Sequence, residues 1–290
     1  MWIALSLLAA LIWSCVNVVD KHVISKYNLK PIVFVTVLSS LGLVVGLTLL
    51  VVLKIQLSPL LIVGLAVGAT YPIVNLLYFK AINIEEVSRV IPWFAFSPLL
   101  VVVGAGLFLN EILFLRQYIG IGILLSGLFL ITIKRGFTIR FGQWMTFMFL
   151  ASLLTAVQLI IEKYLLTDVN PLHLFIFIEI GAFLGVIPFL IVNWETVKAA
   201  IINQTKSLKI ILINETANIS ATFIMLMAIS IGFVSLVSVM GSMQFLFLLL
   251  LTILISLLYP KILKEELAGS IIGLKVIAMI LIIFGIYLIT

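Results

Sequence analysis

The sequence predicts an all-α integral membrane protein with ten transmembrane helices, arranged as two inverted five-helix repeats. Three observations carry this prediction. Hydrophobic residues fill 64% of the 290 positions and charged residues only 10%, against roughly 45–50% and about 25% in soluble domains. The apolar residues gather into ten runs, each close to the ~20 residues that a helix needs to cross the hydrocarbon core. Finally, the two halves of the chain repeat short polar motifs in the same order, as a duplication would leave them.

The runs lie near 2–19, 32–53, 58–79, 86–109, 116–133, 142–161, 172–192, 208–229, 233–258 and 269–289. They are continuous and do not alternate, which argues against a membrane barrel. The first begins MWIALSLLAALIWS, without a positive leader or a small-residue cleavage site, so it is expected to stay as a helix. The longest break, Asn193 to Ser207, leaves no room for a soluble domain. The repeats are expected over residues 1–138 and 139–290.

Basic residues orient the spans. The odd-numbered connections hold Lys21, Lys26, Lys30, Lys80, Arg89, Lys134, Arg135, Arg140, Lys198, Lys206, Lys209, Lys261 and Lys264, while the even ones hold Lys54, Arg116 and Lys163. Cytoplasmic connections collect Lys and Arg, so both termini are expected outside the cell membrane. The net charge of +6 is spread singly between apolar runs and marks topology, with no nucleic-acid surface. One cysteine, Cys15, and two histidines, His22 and His173, exclude a disulfide framework and make a metal centre or other cofactor site unexpected.

Span one ends VVDKHVISKYN and span six ends IIEKYLLTDVN. Each has an acid–Lys pair, two aliphatics, a hydroxyl residue and an Asn at one spacing. AINIEEVSRV at 81–90 faces AISIGFVSLV at 228–237. Gly42 and Gly46 of span two face Gly181 and Gly185 of span seven, both at the spacing that lets helices approach closely. Five spans is an odd number, so the second repeat enters the membrane inverted, and the substrate is expected at the interface between the two.

The stretch Asn75–Ile131 resembles the drug/metabolite transporter superfamily, specifically its EamA-type ten-helix members. The features are Tyr78-x-x-Ala81, Ser97-Pro98, Leu109-Asn110-Glu111 and the Gly120/Gly127 spacing. A second copy, Phe223–Ile289, follows more loosely, with Met243-Gln244 and Glu265-Glu266 in the matching places. The resemblance implies alternating access around a cavity formed by spans one to four and six to nine, with spans five and ten peripheral. It leaves the solute open.

Polar residues within spans are the site candidates. Trp13, Asn17, Tyr71, Asn75, Tyr78, Arg89, Trp93, Gln158, Asn218, Thr222 and Gln244 concentrate in spans one, three, four, six, eight and nine, which suits a cavity lining better than scattered interhelical glue. Glu179 and Glu215 are intramembrane carboxylates, each costing roughly 2.5–3.5 kcal/mol if ionised near mid-bilayer. Glu179 lies about 12 Å from the start of its span. Either residue would serve as a proton-coupling or ammonium-binding group, or be a protonated or snorkelling structural one. Asp20–Lys21 and Glu162–Lys163 would be gates at opposite mouths or interfacial anchors. Arg89 would pair with Glu85 four residues before it, or face an anionic group of the solute.

The function expected is secondary transport, without enzymatic activity. It would move a small metabolite, an amino acid or related solute, outward, with protons as the candidate coupling ion and a monomer or homodimer as the working unit. A flippase for a lipid-linked carrier is the alternative. An intramembrane enzyme is disfavoured, since no His-Glu-x-x-His helix and no nucleophile–His pair is present.

Overall fold

The computed structural model describes residues 1–27, 29–85, 90, 93–94, 96–131, 142–258 and 269–289. Among them the chain is entirely helical, with no strand. In order these are α1 (Trp2–Tyr27), α2 (Pro31–Leu53), α3 (Pro59–Ile84), α4 (Phe96–Phe108), α5 (Leu115–Ile131), α6 (Gln143–Leu165), α7 (Pro171–Val192), α8 (Trp194–Asn203), α9 (Thr205–Ile231), α10 (Val234–Gly241), α11 (Gln244–Leu258) and α12 (Gly269–Ile289).

Local chemistry sets the starts. Proline opens α2, α3 and α7, where its missing N–H costs nothing. Before two of these prolines a side-chain oxygen caps a free amide: the Leu61 N–H donates to Ser58 Oγ at 3.4 Å, and the Leu172 N–H to Asn170 Oδ1 at 2.9 Å. Helix α2 stops at Lys54, which takes a left-handed conformation with φ 50°. Hydroxyls inside the spans, such as Thr36 and Ser40, donate to carbonyls one turn back in their own helix, so they cost little in an apolar setting.

Seven stretches among the described residues are long and apolar enough to cross a membrane: Trp2–Asp20, Pro31–Leu53, Pro59–Ile84, Gln143–Leu165, Pro171–Val192, Thr205–Ile231 and Val234–Ile255. Helices α4, α5 and the end of α12 add shorter apolar segments. The basic connections at 134–140 and 261–264, with Arg89, Glu265 and Glu266, lie outside the described residues.

Two elements differ from the sequence reading. The connection after span seven is not plain loop but contains α8, which turns Val197 and Ala200 inward and leaves Ile201 and Ile202 exposed. Span nine is not one helix. It breaks between α10 and α11, where the Ser242 and Met243 amides donate to Val239 and Met240 in a tightened, 3₁₀-like turn. Ahead of α4, Trp93 and Phe94 likewise form a 3₁₀ turn.

Packing divides the helices into a peripheral pair and a central bundle. Helices α5 and α12 lie along one another, brought close by Gly120, Gly127 and Gly285. A Cβ on Gly120 or on Gly285 would stand 2.9 or 2.8 Å from the other's carbonyl oxygen. In the bundle α3 lies along α7 and α6, α1 along α9, and α2 along α7. The α3–α7 seam is the tightest. There Gly68 faces the Ile178 carbonyl, Gly181 that of Leu65, and Gly185 that of Ala69, with no room for a Cβ. The Gly181/Gly185 pair therefore serves α3, while Gly42 and Gly46 of α2 face Glu179 and Ile176 on α7.

Candidate functional site

Four helices present a polar stripe toward one another. In α1 the stripe is Trp13, Asn17 and Asp20; in α3 it is Tyr71, Asn75 and Tyr78; in α6, Thr155, Gln158 and Glu162; in α9, Glu215, Asn218 and Thr222. Each set steps by three and four residues, which keeps it on one helical face. The stripes converge on a cavity of about 300 Å³. Ser97 and Pro98 of α4, Phe175 of α7, and Ser238, Gly241, Ser242 and Gln244 around the α10–α11 break complete the wall. The break is placed where irregular backbone is tolerated in a membrane protein, against a cavity.

Neutral hydrogen bonds hold the carboxylates of the wall. Tyr71 OH donates to Glu162 Oε1 at 2.7 Å. Asn214 Nδ2 donates to Asp20 Oδ1 at 2.7 Å and to the Val16 carbonyl at 3.2 Å. Trp13 Nε1 donates to Asn218 Oδ1 at 3.0 Å, and Asn218 Nδ2 passes the bond on to both Glu215 oxygens at 3.1 and 3.2 Å. Gln158 Nε2 donates to Thr70 Oγ1 at 2.7 Å. Asp20, Glu162 and Glu215 are all buried and line the cavity wall.

Most of the residues singled out from the sequence meet here: Trp13, Asn17, Tyr71, Asn75, Tyr78, Gln158, Asn218, Thr222, Gln244, Asp20, Glu162 and Glu215. Three do not. Trp93 packs its ring on Phe96 and T-shaped with Trp144, and its carbonyl accepts from Ser152. Glu179 is buried against Gly42 at the α2–α7 contact, beside the cavity and not on its wall. Lys163 is not on the wall and donates to the carbonyls of Ile229 and Gly232 at 2.9 and 2.7 Å. Arg89 and the side chain of Lys21 lie outside the described residues. Thr155, Ser238, Ser242 and Asn214 were not among the sequence candidates. Thr155 had a signal, its place one turn before Gln158, whereas Asn214 reaches Asp20 only through the α1–α9 packing.

A bundle of long apolar helices around a polar-lined central cavity defines a multi-pass α-helical membrane protein. Residues 1–133 match the model of the EamA-like transporter family, a likeness that the motifs between Asn75 and Ile131 lead one to expect. That family comprises membrane transporters of small solutes. No curated protein matches the chain. A solved structure titled "Crystal structure of protein" covers 100% of this chain, over 96% of its own, with a TM-score of 0.63 at 18% identity. At that identity the likeness speaks for the fold.

Proposed function

We propose that the chain is a secondary transporter of the cell membrane that exports a small metabolite, an amino acid or related solute, by alternating access. The observation that carries this reading is the central cavity, whose wall draws polar side chains from both halves of the chain. The pattern of packing supports two inverted repeats, 1–138 and 139–290. Exchanging the halves turns the α1–α9 contact into α6–α3 and the α4–α6 contact into α10/α11–α1, and maps α2–α7 and α5–α12 onto themselves. Asp20 and Glu162, at matching places of the repeats, accept from Asn214 on α9 and Tyr71 on α3, the third spans of the opposite halves.

The test is transport by the purified protein in vesicles. Amino acids and related metabolites are first ranked by how far they raise its thermal midpoint, since a ligand of the folded state adds apparent stability. Those that stabilise should accumulate by counterflow in vesicles preloaded with unlabelled solute. Stabilisation without counterflow would leave a binding protein and sink the transport reading.

Glu179 is assigned the proton-coupling role. Glu179→Gln keeps its shape in the gap beside Gly42 but removes titration. Uptake driven by a pH gradient should be lost, while exchange at equal pH survives. A variant that still concentrates solute as the parent does would make Glu179 a packing residue. Orientation is tested separately: a reporter fused after Thr290 should be active outside the cytoplasm, and cytoplasmic activity would invert the topology drawn from the basic connections.

A further inference from the structure

Resting on the transport reading but replacing its amino-acid solute, we propose that the cavity selects an organic ammonium, an amine that carries no carboxylate of its own. Three buried carboxylates, Asp20, Glu162 and Glu215, line one small space. Their hydrogen-bond donors are an asparagine, a tyrosine and an asparagine, and no lysine or arginine belongs to the wall among the described residues. Lys163, adjacent in sequence to Glu162, spends its charge on the α9 carbonyls instead. Taking charge out of water is expensive unless an opposite charge meets it. A cationic solute is the group that would supply that charge in the cavity.

A second observation points to a ligand independently of the acids. Ser97 is only 5% exposed, its hydroxyl has no hydrogen-bond partner among the described residues, and it stands on the cavity wall. Buried hydroxyls are ordinarily paired, and one left open at a binding space is matched by a polar atom of what binds there. The aromatic side chains of Trp13, Tyr78 and Phe94 on the same wall suit a cation as well as an apolar body. A zwitterionic amino acid would bring its carboxylate into the company of three others, which the wall answers with no cation.

The test uses the full-length protein in lipid nanodiscs and reads its thermal midpoint. The probes are phenethylammonium, 1,4-diammoniobutane and tetramethylammonium, with 2-phenylethanol as the neutral isostere and phenylalanine as the zwitterion. At least one ammonium should stabilise, and phenethylammonium should bind at least tenfold more tightly than its alcohol. Asp20→Asn and Glu215→Gln, assayed separately, should each weaken the best ammonium at least tenfold without lowering the unliganded midpoint; Ser97→Ala should weaken it by a smaller factor. Equal binding of alcohol and amine, tighter binding of phenylalanine, or no stabilisation by any of the three ammonium probes overturns the proposal, and these comparisons need no variant to fold. Counterflow separates the two readings. Ammonium binding without counterflow defeats transport and spares the selectivity, whereas counterflow of phenylalanine alone does the reverse.

Discussion

Gly185→Val should destabilise the folded protein by about 1–3 kcal/mol or more, the range for overpacking a filled interior, while Gly122→Ala should stabilise it slightly. The difference lies in what the new Cβ meets. At Gly185 it meets the backbone carbonyl of Ala69 on α3, and at Gly181 that of Leu65. Backbone cannot rotate aside as a side chain does, so the two helices would have to part along the seam that also buries Phe177 and Leu174. At Gly122 nothing lies within 4 Å, and what remains is helix propensity, worth about 0.8–1.0 kcal/mol in favour of alanine. Denaturant titration of the purified variants measures both. If Gly185→Val unfolds with the parent's midpoint, the close α3–α7 approach is not what holds those helices together.

The class of fold was legible because lipid leaves few choices. Long apolar runs must be helices, and every run read from the sequence holds a described helix, although α1, α3, α6 and α9 extend past the ends of theirs and α8 lies between two runs. Glycine spacing pointed to close packing but not to the partner: Gly181 and Gly185 match Gly42 and Gly46 in pattern, yet they pack on α3. Helix α8 had a local signal, with Glu195 in its first turn and Val197 and Ala200 on one face, which the search for membrane-length runs passed over. The break in span nine had a weaker one, the pair Gly241-Ser242, of the kind at which helices bend. No proline stands between Val234 and Leu258, and the turn depends on how the bundle takes up Ser242 and Met243.

The site was legible to the same depth. Polar residues stepping by three and four along four helices could be read directly, and they do converge. Depth along a helix was also readable, so Glu179 stood out. Which way it faced was not, because facing is decided by the neighbour, here Gly42 of α2. The same holds for Trp93, whose ring packs on Trp144. Sequence spacing gives the face of a helix, and only packing gives what that face sees.

Glu111 is the clearest case of a partner invisible in sequence, and Glu111→Ala should be among the most damaging single changes outside the cavity. Its carboxylate is 5% exposed and lies at the start of α10, accepting from the Val234 N–H at 2.8 Å, the Ser235 N–H at 3.0 Å and Ser235 Oγ at 2.7 Å. An anion belongs there, since a helix N-terminus presents free amides and partial positive charge. One turn of chain earlier, Lys163 holds the carbonyls of Ile229 and Gly232, where α9 ends and the partial charge is negative. Acid and base thus clamp the two helix ends that meet at Gly232 and Phe233, and Trp2 closes over Gly232 from α1. Removing the carboxylate leaves two backbone donors buried without acceptors, at about 1–3 kcal/mol each. Ser235→Ala removes only the hydroxyl bond, about 1 kcal/mol. Glu111→Gln should fall between them, because one amide oxygen still accepts while the NH₂ turns a donor toward the remaining amide. The order Ala, then Gln, then Ser235→Ala is read from denaturant midpoints of the purified variants. Equal losses for Glu111→Ala and Ser235→Ala would mean that the helix end is held by its packing and that the carboxylate adds nothing to it.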